Sequence, residues 1–152
     1  MECRDFFRRF AEGVFDEADI RVRAAELANF VKEASGVYGF DASRVTALGF
    51  SNGANIGAAM MLLHPESLSG GILLRAMVPL VPTPLPQLAG KRILISAGRM
   101  DPMGNAEETA KLRGLFEKSG AAVSVTWQAA GHSLTQKDLV DAQAWLAAKD
   151  AT

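Results

Sequence analysis

Val45-Thr46-Ala47-Leu48-Gly49-Phe50-Ser51-Asn52-Gly53 is the stretch on which the reading of this chain turns. An apolar run broken only by Thr46 leads into G-x-S-x-G, and mostly small or apolar residues follow from Ala54 to Leu63. A buried strand, a sharp turn and a buried helix account for all three parts. In that arrangement the serine sits on a strained turn with its hydroxyl held above the sheet. Glycine is expected at 49 and 53 because a Cβ at either place would keep strand and helix backbones apart. Ser51 is therefore the candidate nucleophile.

On the amino-terminal side, Asp16-Glu17-Ala18-Asp19 places carboxylates at the start of a predicted helix, where they offset the macrodipole and cap free amides. Ile20, Ala24, Leu27, Val31 and Ala34 follow at helical spacing and should face a sheet, with Gly36 and Gly39 marking the end. Before that helix, Phe6, Phe7, Phe10 and Phe15 are interleaved with Arg4, Arg8, Arg9 and Glu12 without alternation. This predicts an irregular or partly helical arm whose rings cover the domain's own core or, alternatively, wall a substrate entrance.

On the carboxyl-terminal side, Asn52–Leu63 reads as a buried helix ended near His64-Pro65, and Gly70–Leu74 as the next strand. Pro79, Pro82, Pro84 and Pro86 forbid regular pairing, so 77–88 is predicted as an extended loop that roofs the serine, in preference to a Pro-x-x-Pro ligand for a partner's aromatic groove. Ile93–Ala97 is a further buried strand, and Ala106–Ser119 a helix stopped by Gly120. Val123, Val125 and Trp127 alternate with polar residues, as on a half-exposed edge strand. Thr135 with Asp138 resembles a capping box, opening a last helix with Leu139, Ala142, Trp145 and Leu146 inward. Helices alternating with strands in this way indicate an α/β fold, a mostly parallel sheet of about four strands flanked by helices, in one domain over 1–152.

The totals narrow the function classes. Hydrophobic residues make up 49% and charged residues 22% of 152, and the net charge is −1, with both signs spread along the chain. Nothing in that distribution suggests a phosphate-binding face, so no nucleic-acid partner is expected. No apolar run reaches the ~20 residues of a membrane span, and the first residues lack the apolar core of a secretory signal. Cys3 is the single cysteine, which fits a reducing compartment, so the cytoplasm is expected. The two histidines and one cysteine are widely separated and offer no metal-ligand spacing.

Ser51, Asp101 and His132 share one address, the loop just after a strand. In a parallel sheet those loops lie along one edge, so side chains distant in sequence converge. A serine hydroxyl is unreactive at neutral pH and needs an imidazole to take its proton. The imidazole in turn needs a carboxylate to set its tautomer and steady its charged form. His64, beside Pro65 at a helix end, has no such company.

Gly49-Phe50-Ser51-Asn52-Gly53-Ala54-Asn55, Leu74-Arg75-Ala76-Met77-Val78-Pro79, Ser96-Ala97-Gly98-Arg99-Met100-Asp101-Pro102 and Ala130-Gly131-His132 together resemble the phospholipase/carboxylesterase branch of the α/β-hydrolases, which includes acyl-protein-thioesterase-like serine esterases. The similarity runs from about Phe6 to Leu146. It implies hydrolysis of small acyl esters or thioesters without a metal or organic cofactor, with Ser51 as nucleophile, His132 as base, Asp101 orienting it and the Asn52 backbone N–H as an oxyanion donor. Met77, Val78 and Leu80 are candidates for the acyl pocket, and Met60, Met61 and Met103 for core filler. Members of this family begin with further strands, and a His-Gly pair after one of them completes the oxyanion hole. No histidine precedes His64 here, and no strand is predicted before Val45. The expectation is a partial α/β-hydrolase fold with an open edge at 45–50, along which two copies form a homodimer. The competing class is a non-catalytic, oligomerising half-domain.

Overall fold

The structure, a computed structural model, describes residues 6–148, so Cys3 and Arg4 lie outside the described residues. It opens on a short antiparallel hairpin, β1 (Arg9–Ala11) and β2 (Val14–Phe15), in place of the irregular or helical arm expected there. Gly13, at φ 73°, supplies the left-handed turn between the two strands. Phe7 is buried and meets Phe15 edge to face at 5.3 Å, while Phe6 and Phe10 remain exposed. The rings thus divide between core and surface.

Helix α1 (Glu17–Tyr38) begins where the Asp16 carboxylate accepts the Asp19 N–H at 3.2 Å, and it ends at Gly39, φ 70°. Ile20, Ala24 and Ala28 are buried along one face, with Leu27 and Val31 packed beside them. Gly36 lies inside the helix and does not end it. After a 3-10 turn at Ala42–Arg44 the main sheet begins.

Four parallel strands run side by side in sequence order: β3 (Thr46–Phe50), β4 (Gly70–Leu74), β5 (Arg92–Gly98) and β6 (Ala122–Gln128). The registers are continuous, Thr46 opposite Gly70, Gly70 opposite Arg92 and Arg92 opposite Ala122. Helix α2 (Asn52–Leu63) links β3 to β4, and α3 (Ala106–Lys118) links β5 to β6. Sequential order with crossovers of one hand puts such connections on one face. There a large core cluster joins α1, α2 and α3 to Leu73, Ile93 and Ile95 of the sheet, and Met60 and Met61 fill it as expected. Helix α4 (Gln136–Ala147) covers the other face, over Ile72, Leu74 and Leu94. No helix among the described residues is long and apolar enough to cross a membrane.

Three further expectations need correction. The strand at 46–50 lies at the edge of the sheet, as expected, but it is not the buried strand its apolar run predicts, with Leu48 63% exposed. On α4, Ala142 and Trp145 face inward, but Leu139 and Leu146 face out. Asp138 takes the inward place, because Arg75, just past the end of β4, offers it a buried cation. Finally, of the segment at 77–88, expected to roof the serine as a whole, only Met77 lines the pocket that holds Ser51. Val81, Pro82 and Leu85 lie against α3, lining a cleft of about 520 Å³ with Leu115. The N–H of Val78 donates to Glu108 Oε1 at 2.9 Å, which steers the chain toward that helix.

Candidate active site

Ser51 stands between β3 and α2 at φ 52°, ψ −117°, a conformation that costs a non-glycine residue about 1–3 kcal/mol. Its N–H donates to the Leu74 carbonyl at 2.8 Å and its carbonyl accepts from Asn55 N–H at 3.0 Å, so neighbouring elements hold the turn. Only one flanking glycine is sterically required. A Cβ on Gly49 would lie 2.4 Å from the Gly53 carbonyl oxygen, whereas one on Gly53 would meet only the Phe6 ring at 3.5 Å. The clash expected at both positions exists at the first alone, since the strand is what must pass under the helix.

Asp101 follows β5, and His132 follows β6. The two loops are tied together: Arg99 N–H donates to Gln128 O at 2.9 Å and Met100 N–H to Ala130 O at 3.0 Å. Gly98 permits this contact, because a Cβ there would sit 2.2 Å from the Gly131 oxygen. Across the junction, His132 Nδ1 lies 2.8 Å from Asp101 Oδ2, and His132 Nε2 lies 2.8 Å from Ser51 Oγ. The Asp101 side chain is fully buried, and that of His132 is 29% exposed. Burial pushes the Asp101 pKa up, but the bond with His132 and the N–H groups of Met103 and Gly104 outweigh it and hold the carboxyl below its ordinary value. A carboxylate, an imidazole and a hydroxyl thus form one hydrogen-bonded line, which can pass a proton from the serine to the ring.

Beside that line is a narrow pocket of about 20 Å³, walled in part by Asn52, Met77, Met103 and Phe15. Asn52 opens α2, where backbone N–H groups point out of the helix and favour negative charge. Of the residues expected to line an acyl pocket, Met77 is at this place. Val78 lines the cleft against α3, and Leu80 is packed in the core. Met103, expected as core filler, is at the pocket wall. Among the described residues, no three His, Cys, Asp or Glu side chains are grouped to hold a metal ion.

Arg75 and Asp138 have no place in the site as read from the sequence, where the first is part of a motif and the second a cap. Their side chains are fully buried and paired, with Arg75 Nη1 to Asp138 Oδ1 and Nη2 to Oδ2 both at 2.9 Å. In the otherwise apolar run Ile72-Leu73-Leu74-Arg75-Ala76-Met77 the arginine carries the only charge, and that is the available signal of a buried partner.

The Asp138 carboxyl is held at about 2, against 3.8 for a free aspartate. Burial pushes it up, and the bonds from Arg75, Ser96 and Thr135 outweigh that push. The folded value is the lower one, so this stabilisation is present above about pH 4 and is lost as pH falls through about 2. Asp138→Asn should cost about 3–5 kcal/mol at neutral pH, because it strands a buried guanidinium. Urea denaturation across the acid range should show the gap between wild type and variant narrowing as pH falls. A constant gap would mean that the carboxylate's charge contributes nothing.

The chain is also similar to known proteins. The family description Phospholipase/Carboxylesterase matches residues 7–149. The chain belongs to the phospholipase/carboxylesterase family. Among its relatives, MhqD of Bacillus subtilis (strain 168), named a putative hydrolase, is 44% identical over 140 residues, covering 92% of this chain and 70% of MhqD. The crystal structure of the Bacillus cereus carboxylesterase is 41% identical with a TM-score of 0.89, and that of the Mesorhizobium loti carboxylesterase is 34% identical with a TM-score of 0.88. They cover 92% and 93% of this chain. This family member spans 66% of the Bacillus cereus chain and 68% of the Mesorhizobium loti chain. Its four-stranded parallel sheet with flanking helices is the part of the α/β-hydrolase fold that it shares with them.

Proposed function

We propose that this chain is a serine hydrolase of small carboxylic esters or thioesters, working through an acyl-enzyme. The observation that carries the reading is His132 bridging Ser51 and Asp101, 2.8 Å from each. Ser51 Oγ attacks the carbonyl carbon of the ester while His132 Nε2 takes the hydroxyl proton, and Asp101 steadies the imidazolium. The carbonyl oxygen becomes an oxyanion facing the N–H of Asn52. Collapse of that intermediate breaks the bond to the alcohol or thiol, which leaves with the proton from His132. Water then attacks the acyl-serine, giving up a proton to the same ring, and the acid departs as Ser51 recovers its own. The narrow pocket between Met77 and Met103 favours short acyl groups.

The test is a fluorophosphonate probe followed by peptide mapping. Rapid, stoichiometric labelling confined to Ser51, together with turnover of p-nitrophenyl acetate, is the expected result. A protein that is folded but unlabelled, or labelled at another serine, would remove this reading.

A further inference from the structure

Among the described residues, Ser51 and Arg75 are the non-glycine residues with positive φ, at 52° and 57°. Such conformations persist where surrounding contacts over-determine them, and they gather at sites where geometry matters. Ser51 has an evident reason to be strained. Arg75 requires one.

Arg75 follows Leu74, whose carbonyl holds the Ser51 N–H, and its own N–H donates to Ser96 O at 2.8 Å. The left-handed turn there ends β4. From it the guanidinium reaches the loop of the base: Nε donates to Gly131 O and Nη2 to Ser133 O, both at 3.0 Å. These are the carbonyls on either side of His132. Nη1 completes the set with Asp138 and Ser96, and Nη2 with Asp138. Every N–H of the guanidinium is committed inside the protein, so it is not available to grip a substrate. Asp138 in turn accepts from the Thr135 N–H at 2.7 Å, fixing the other end of the loop to the start of α4.

We propose that Arg75 is the positioning residue of this site: its guanidinium, clamped by Asp138, binds both carbonyls flanking His132 and so fixes the imidazole between Ser51 and Asp101. The catalytic part of this inference rests on the serine-hydrolase reading above. A planar fork is what two carbonyls and a carboxylate require, and an ammonium cannot serve all three in one geometry. A shift of about 1 Å at a reacting group costs on the order of a hundred-fold in rate.

The experiment compares wild type with Arg75→Lys, with Arg75→Gln as a second variant that keeps one donor for the loop. Ser96→Ala is the control for stability alone, since it removes a hydroxyl from the Arg75–Asp138 network and leaves the carbonyls of 131 and 133 bound. In both Arg75 variants kcat for p-nitrophenyl acetate should fall about ten- to a hundred-fold with KM within about three-fold, at temperatures where each is folded. Ser96→Ala should lose thermal stability but keep its kcat. A second readout needs no turnover. The His132 Nδ1 proton bonded to Asp101 should give a low-field NMR resonance, assigned by its loss in His132→Gln. It should be sharp in wild type and Ser51→Ala, and broadened or lost in the Arg75 variants. An unchanged resonance with unchanged kcat in those variants would overturn the proposal, as would kcat losses that simply follow thermal stability across all three. If wild type has the resonance but no Ser51-dependent activity, the hydrolase reading fails while the resonance still decides what Arg75 does.

Discussion

Ser51→Ala should lower kcat for p-nitrophenyl acetate by about 10⁵-fold or more, because on the proposed mechanism it removes the atom that becomes acylated and makes the rest of the line idle. Truncation at a nucleophile leaves only what binding and oxyanion donors supply. The fold should be unaffected, since alanine and serine carry the same Cβ at φ 52° and bear the same backbone strain. Ser51→Gly should be equally inactive but more stable than the alanine variant by about 1 kcal/mol, because glycine adopts that conformation freely. Steady-state kinetics and chemical denaturation of the two variants check both statements. Residual turnover within ten-fold of wild type in Ser51→Ala would remove the serine from the reaction.

Asp101→Asn should cost about 10⁴-fold in kcat while leaving structure and KM nearly intact. The asparagine oxygen can still accept the Met103 N–H that Asp101 Oδ1 now accepts at 2.9 Å. Its amide NH₂ would then face His132 Nδ1 and donate to it. That moves the ring proton to Nε2, where it points at Ser51 Oγ and the ring can no longer accept the hydroxyl's proton. The loss is therefore one of tautomer and of stabilisation of the imidazolium, with little change in contacts. A fall of less than ten-fold would show that the buried carboxylate does not orient the base.

Much of the site was legible in the chain because its signals are local. Apolar runs mark the strands, the 3.6-residue period marks α1, and glycine beside a serine after a strand marks the turn at 49–53. Chain order then placed Ser51, Asp101 and His132 at one edge, since consecutive parallel strands put their following loops together. The hairpin at 9–15 escaped notice because its strands are too short to show alternation.

Spacing along the chain determined the α/β class, the order of strands and the residues worth testing as nucleophile, base and acid. It did not reveal that Arg75 and Asp138, 63 positions apart, meet at 2.9 Å, or that this pairing turns Asp138 inward and leaves Leu139 and Leu146 outside. It also did not show that Gly53 has room for a side chain while Gly49 has none. Those outcomes depend on which surfaces pack against each other. A buried charge is tolerated only where a distant partner meets it, and no local period records where that partner will be.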